Sequence, residues 1–217
     1  MSVRVTSVLT ATSIAAVLTT LLTKKETNRV DLLEIYILAI ALCQYLIVFT
    51  ISDVKRVQRW RYLDWFLTTP LLLGTFYLVA KSEGFRGSFL PALIANQIMI
   101  VAGYWAEYQD TSPFYAILKE RYSDEQIKYF WFFIGFIALA VVLYSVYQWN
   151  KSLQDAGKDT QFLPYFFYIG WTLYGLNFLV EDQNWRQRNF DLLDLFNKPI
   201  YTLYLAQFID REKIKLN

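Results

Sequence analysis

Near the end of the sequence an aspartate and a lysine, Asp194 and Lys198, stand four residues apart. On an α-helix that spacing puts both side chains on one face. They can form a structural ion pair that ties a bundle together. Alternatively the lysine, in surroundings that disfavour its charged form, becomes an amine nucleophile towards carbonyl groups and can hold an aldehyde cofactor as a stable Schiff base. The spacing alone leaves both readings open. A second constellation places Arg61, Asp64, Thr68 and Thr75 on one helical stripe, with Trp65, Thr69 and Leu72 on the next. It sets a cation, a carboxylate and hydroxyls beside an aromatic wall. Taken alone, Thr68, Thr69 and Pro70 read more simply as a kink whose threonines bond back to their own helix.

The elements that must position these groups follow from composition. The 217 residues are 55% hydrophobic and 18% aromatic but only 18% charged, against about 25% charged in soluble domains. The charges gather in short clusters, leaving seven apolar stretches of about 20 residues, the length that crosses a bilayer. Run length and punctuation predict helices at about 4–23, 29–51, 59–80, 86–108, 125–149, 161–180 and 188–209. The expectation is an all-α membrane protein, a single seven-helix transmembrane domain over 1–217 with no room for a separate soluble domain. The first run reads as a span, since no small-residue cleavage site and soluble domain follow it. The connection at 109–124 contains Pro113 and an amphipathic stretch, Phe114 to Tyr122, suited to lie along the membrane surface. Lys and Arg divide ten to ten between the two sides, so their count sets no orientation, and an odd number of spans puts the termini on opposite sides.

An ionisable group at membrane depth costs several kcal/mol unless paired or hydrated. Glu34, Asp64, Asp194 and Lys198 fall inside the predicted spans, with Arg61 at the mouth of the third, and they become the functional candidates. The chain has no histidine, which removes imidazole relays and His-ligated metals. Cys43 is the only cysteine, so an internal disulfide or a Cys-ligated metal is excluded, and no metal is expected. A net charge of +2 spread over the loops gives no basic stripe for nucleic acid.

The run Arg61-Tyr62-Leu63-Asp64-Trp65-Phe66-Leu67-Thr68-Thr69-Pro70-Leu71-Leu72-Leu73 resembles the third helix of microbial (type 1) rhodopsins. Asp194-Leu195-Phe196-Asn197-Lys198 resembles the seventh-helix segment in which an aspartate precedes the retinal-binding lysine by four residues. Ala95 to Gly103 is similar to the fourth-helix segment whose Met and Gly touch the retinal ring. Trp171, Tyr174, Gly175 and Phe178 fall where the sixth helix presents Trp, Tyr, Pro and Trp.

The resemblance implies all-trans retinal bound covalently to Lys198, in a chain with its N-terminus outside and its C-terminus cytoplasmic. Asp64 is then the counterion and first proton acceptor, Asp194 the second carboxylate, and Arg61 the gate towards the outer side. Thr68 would hydrogen-bond Asp64 and tune the transfer. When light isomerises retinal and swings the N–H away from its carboxylates, the pairing that keeps the nitrogen charged weakens and the proton moves to Asp64. Trp65 and Trp171 would sandwich the polyene. Thr69, Leu72, Met99 and Gly103 would line it from the third and fourth helices, with Phe132 from the fifth. Tyr174, Gly175, Phe178 and Asn197 would close the pocket. Leu72 stands where green-absorbing members often carry Leu, so green absorption is expected. No enzymatic turnover is implied.

The chain departs from the family pattern in four places. Thr75 replaces the third-helix carboxylate that reprotonates the Schiff base in outward pumps. Glu34, at similar depth on the second helix, is the expected substitute donor or gate, against the simpler reading of an interfacial carboxylate near a helix start. Gln183 and Arg186 stand where outer release carboxylates are found, with Glu181 and Asp182 displaced by a few residues. Gly175 replaces the sixth-helix proline, and Asn197 puts an amide beside Lys198. A short chain with a second-helix carboxylate is similar to the rhodopsins of giant viruses of algae.

The expected activity is a light-driven outward proton pump, in the plasma membrane of the source or host cell. A light-gated cation channel is the alternative, with the stripe Thr6, Thr10, Ser13 and Thr20 able to wet a pore, although Ser/Thr packing in lipid is the simpler reading of that stripe. A photosensory receptor is a third possibility, with little to support it because no output domain is fused and few residues follow the last span. Membrane lipid, protons or small cations, and further copies of the chain in a trimer or pentamer are the expected partners.

Overall fold

The computed structural model describes residues 3–51 and 54–216. Helix α1 spans Val3–Leu22, α2 Arg29–Thr50, α3 Val54–Ser82 and α4 Leu90–Glu107. A 3₁₀ turn, Gln109–Thr111, and the short α5, Tyr115–Lys119, lead to α6, Asp124–Asp155. The sixth rod is a π-helical segment, Phe166–Trp171, running into α7, Thr172–Asn177. The seventh is continuous through α8, Gln183–Leu195, a π-helical segment, Phe196–Ile200, and α9, Tyr201–Arg211. α5 is the surface piece of the amphipathic stretch, with Phe114, Ile117 and Tyr122 exposed around it.

Local chemistry sets the ends. Asn28 caps α2 and Ser123 caps α6, each with a reciprocal bond from the third helical residue, Asp31 and Gln126. Asp182 caps α8 by accepting from the Trp185 N–H at 2.8 Å. The sixth rod begins at Phe166, five residues after the predicted start, whereas other bounds overrun the prediction because polar residues continue a helix past its apolar run. α3 begins at Val54, five residues before the predicted start, and α6 runs to Asp155, six beyond the predicted end. Apolar run length measures the hydrocarbon crossing, whereas the backbone bonds of a helix persist into the headgroup layer.

The rods form a closed ring in chain order: α1 packs on α2, α2 on α3, α3 on α4, α4 on α6, α6 on the sixth rod, and α7 on α8, which returns to α1. α3 also touches α6 and α8 and so lies towards the middle. The exterior is apolar, with Ile137 68% and Phe133 62% exposed, while Arg61, Asp191 and Asp194 are 0% exposed. That inversion fits a lipid environment, where helices satisfy their own backbone and polar side chains turn inward. α1, α2, α3 and α6 are each long and apolar enough to cross a membrane. Tightly packed aromatics, Phe76, Trp149, Phe167 and Tyr201, fill one half of the interior. The other half holds Arg61, Asp64, Asp191 and Asp194, while Glu34 lies on the aromatic side.

Candidate functional site

Lys198 sits in the π-helical turn of the seventh rod, next to Pro199, and is 1% exposed. Proline cannot donate to the preceding turn, and the wider π register absorbs the missing bond while turning Lys198 inward. Its Nζ is ion-paired with Asp64 Oδ2 and lies 3.5 Å from Asp194 Oδ1. The two carboxylates are held differently. Asp194 Oδ1 accepts from Trp65 Nε1 at 3.3 Å and the Tyr174 hydroxyl at 2.6 Å. Its Oδ2 accepts from Arg61 Nη1 at 2.7 Å and the Tyr45 hydroxyl at 3.1 Å. Asp64 has only Lys198 on Oδ2, and its Oδ1 is buried without a partner.

Thr68 does not meet the expectation placed on it. Its hydroxyl donates to the main-chain carbonyl of Asp64 at 2.9 Å and not to the carboxylate. Four residues along a helix, a threonine finds that carbonyl first. Thr69 does the same to Trp65 O at 2.7 Å and also accepts from Asn96 Nδ2 at 2.9 Å, tying α3 to α4.

Arg61 is an interior residue, 0% exposed, and not one at a mouth. It bridges Asp194 to a third carboxylate, Asp191, through Nη2, and its Nε donates to Gln187 Oε1 at 3.3 Å. Asp191 lies inside the seventh span expected at 188–209 but is not among the candidates that the sequence singles out. It accepts from the Tyr45 hydroxyl at 3.2 Å, Gln187 Nε2 at 3.2 Å, Thr6 Oγ1 at 2.8 Å and Ser7 Oγ at 2.7 Å. Thr10 donates to its main-chain carbonyl at 2.9 Å. The signal was available: Gln187, Asp191, Asp194 and Lys198 run at intervals of four, three and four, one continuous helical stripe.

Glu34 is 2% exposed, so it is no interfacial carboxylate. Its Oε2 accepts from Thr202, one turn beyond Lys198, and its Oε1 has no partner. The Thr75 hydroxyl lies 3.0 Å from that of Tyr201 in the same group. Asp194 and Thr202 lie four residues to either side of Lys198, about 6 Å each way at 1.5 Å per residue. The lysine therefore stands between a cluster of Asp64, Asp194, Asp191 and Arg61 and a separate group built on Glu34.

From Lys198 a largely apolar cavity runs between the helices. Trp65, Thr69 and Leu72 of α3 line it with Met99 and Gly103 of α4 and Phe132 of α6. Trp171, Tyr174, Gly175, Phe178 and Asn197 complete the set expected from the sequence, and Tyr62, Gly135, Phe136 and Phe190 are further walls. Tyr62 also donates to Gly103 O at 3.1 Å. Asp64, Asp194 and Arg61 are not among the residues that line it. An apolar aldehyde fits the arrangement: the Lys198 amine opens on the cavity, and Asp64 Oδ1 beside it has no partner.

Two glycines shape the wall. A Cβ on Gly175 would lie 2.8 Å from Phe136 Cζ, so the residue in the proline position makes room for that ring. A Cβ on Gly170 would lie 2.4 Å from Asn197 Oδ1, whose amide donates to Leu193 O at 3.0 Å. Gly170→Ala therefore forces the Asn197 amide from its bond, and overpacking of this kind costs about 1–3 kcal/mol. Thermal unfolding should show that loss, and Asn197→Ala in the same chain should recover most of it. Equal stability of Gly170→Ala and the parent would refute the clash.

Residues 1–211 match the family described as bacteriorhodopsin-like protein. Opsin-1 of Neurospora crassa is 30% identical over 169 residues, covering 72% of this chain and 51% of that protein. The chain thus spans about half the length of the curated relatives it matches. The crystal structure of the viral rhodopsin OLPVRII superposes with a TM-score of 0.75 at 19% identity, over 98% of this chain and 99% of that one. That of the proton-pumping rhodopsin AR2 from the marine alga Acetabularia acetabulum gives 0.67 at 20% identity, over 98% and 93%. The chain is an integral membrane protein and belongs to the bacteriorhodopsin-like family, the microbial rhodopsins that carry retinal.

Proposed function

We propose that this chain binds all-trans retinal as a Schiff base on Lys198 and works as a light-driven outward proton pump. The amino terminus faces out and the carboxy terminus faces the cytoplasm, in the plasma membrane, as a trimer or pentamer. The observation that carries the reading is the separation of two buried carboxylates, Asp64 and Glu34, on opposite sides of one buried amine. Bound retinal would supply a light-driven isomerisation that changes which side of the site the nitrogen's proton faces.

The chain's own groups do the rest. Asp64 takes the proton from the Lys198 nitrogen, because its Oδ1 is free while both oxygens of Asp194 already accept from fixed donors. Arg61, clamped between Asp191 and Asp194, blocks direct return through the outer cluster. Glu34 returns a proton to the nitrogen from the other side, along the Thr202 face of the seventh helix. Three of the four hydroxyls in the stripe that could wet a channel are otherwise engaged. Thr6 and Thr10 bond to Asp191, and Thr20 bonds back to Ala16 O at 3.0 Å.

Photocurrent under voltage clamp tests the proposal. Current of one sign across positive and negative voltages is expected, and a reversal that follows the cation gradient would establish the channel instead. Glu34→Gln removes the donor, and reprotonation then draws on bulk water. Recovery after a flash should slow by about tenfold or more at neutral pH. It should also slow about tenfold for each further pH unit, because the rate then follows proton concentration, while the parent stays nearly flat. A parent-like recovery in Glu34→Gln would remove the donor role.

A further inference from the structure

We propose that the outer vestibule of the bundle is a binding site for a phosphate-class oxyanion, borne either by a lipid headgroup or by free phosphate. This cavity is separate from the one beside Lys198, sharing only Ala106 and Phe178 with it. Cations from three helices converge on it: Arg56 and Arg59 of α3, Lys128 of α6 and Arg186 of α8. Among the described residues its one carboxylate is Glu107, already ion-paired with Arg186, and both side chains are only about a tenth exposed. The described walls therefore carry an excess of three positive charges.

These cations are arranged and not merely solvated. The Arg59 guanidinium lies 4.6 Å from the centre of the Tyr108 ring, and the Lys128 ammonium 4.8 Å from that of Phe178. A cation on an aromatic face is held in place without being neutralised. Among the described residues no carboxylate lies within ion-pair distance of Arg59 or Lys128. Gln58 supplies an independent pointer. It is 2% exposed and lines the cavity, and its Nε2 has no acceptor. A buried N–H left unpaired is costly, and an oxygen brought by a ligand would satisfy it. A guanidinium and an amide donor from α3 and an ammonium from α6 suit a tetrahedral oxyanion, which offers acceptors in several directions. The same excess charge repels cations from this end of the bundle. The proposal does not depend on pumping.

The test uses the retinal-loaded protein in nanodiscs and the double variant Arg59→Gln/Lys128→Gln, whose dark spectrum reports an intact pocket. Inorganic phosphate is titrated calorimetrically in phosphatidylcholine discs, and tightly retained phosphorus per protein is measured after purification from phosphatidylglycerol-containing discs. Saturable phosphate binding, weakened at least roughly tenfold in the double variant, supports the site with free phosphate as its source. Retained phosphorus that the double variant loses, without free-phosphate binding, supports the site with a lipid headgroup as its source. If phosphate gives no saturable heat and the double substitution leaves retained phosphorus unchanged, the site does not exist.

Discussion

Lys198→Ala should give a chain with no visible absorption after expression with all-trans retinal, since among the described residues no other lysine lines the cavity. The substitution should also expose an electrostatic cost that is independent of the chromophore. In the parent, Lys198 neutralises Asp64 directly and stands 3.5 Å from Asp194, all within 2% exposure. Removing one partner of a buried pair leaves the other charged and uncompensated, at about 3–5 kcal/mol. Retinal itself stabilises whatever binds it, so the comparison must be made between retinal-free proteins. There, Lys198→Ala should unfold at lower temperature than the parent, and Lys198→Ala/Asp64→Asn should recover most of the difference while remaining colourless. Colour in the single variant would end the assignment of Lys198. A double variant no more stable than the single one would show that Asp64 does not depend on the lysine's charge.

The parts of this site that could be read from the sequence are those written as helical spacing within one element. Asp194 and Lys198 at four residues, and Arg61, Asp64 and Trp65 on one helix, need only the geometry of an α-helix to be placed together. Contacts between elements were less legible. Asp191 belongs to the same stripe as Lys198, but its donors Thr6, Ser7 and Tyr45 come from α1 and α2, and nothing in a linear pattern joins residues that far apart. The two π-helical turns were also invisible, because apolar periodicity does not distinguish a π turn from an α turn over five or six residues. Yet they decide how Asn197 meets Gly170 and where Lys198 points. Thr68 shows the converse, because the simpler reading of a threonine bonding back to its own helix holds against the resemblance. The resemblance suggested a side-chain bond to Asp64, while the nearer acceptor was the helix's own carbonyl.

The difference between Asp64 and Asp194 leads to the other large effect. Both carboxylates are fully interior and both face Lys198, so proximity does not say which receives the proton. Hydrogen bonding does. Four donors, from Trp65, Tyr174, Arg61 and Tyr45, hold Asp194 and are best satisfied by an ionised acceptor. Asp64 has one partner, and that partner is the group giving up the proton. Asp64→Asn should therefore keep the colour, since the amine is intact, and lose outward photocurrent by at least about 100-fold, the lower range of what a positioned proton acceptor contributes. Infrared difference spectra should show, in the parent, a carboxylic acid C=O band appearing on illumination, and that band should vanish in Asp64→Asn. Asp194→Asn serves as the contrast. It strands Arg61 and the tyrosines, so it should cost stability of about 3–5 kcal/mol, yet any folded, coloured fraction should retain the band. A band that survives in Asp64→Asn and disappears in Asp194→Asn would reverse the assignment and make the better-bonded carboxylate the acceptor.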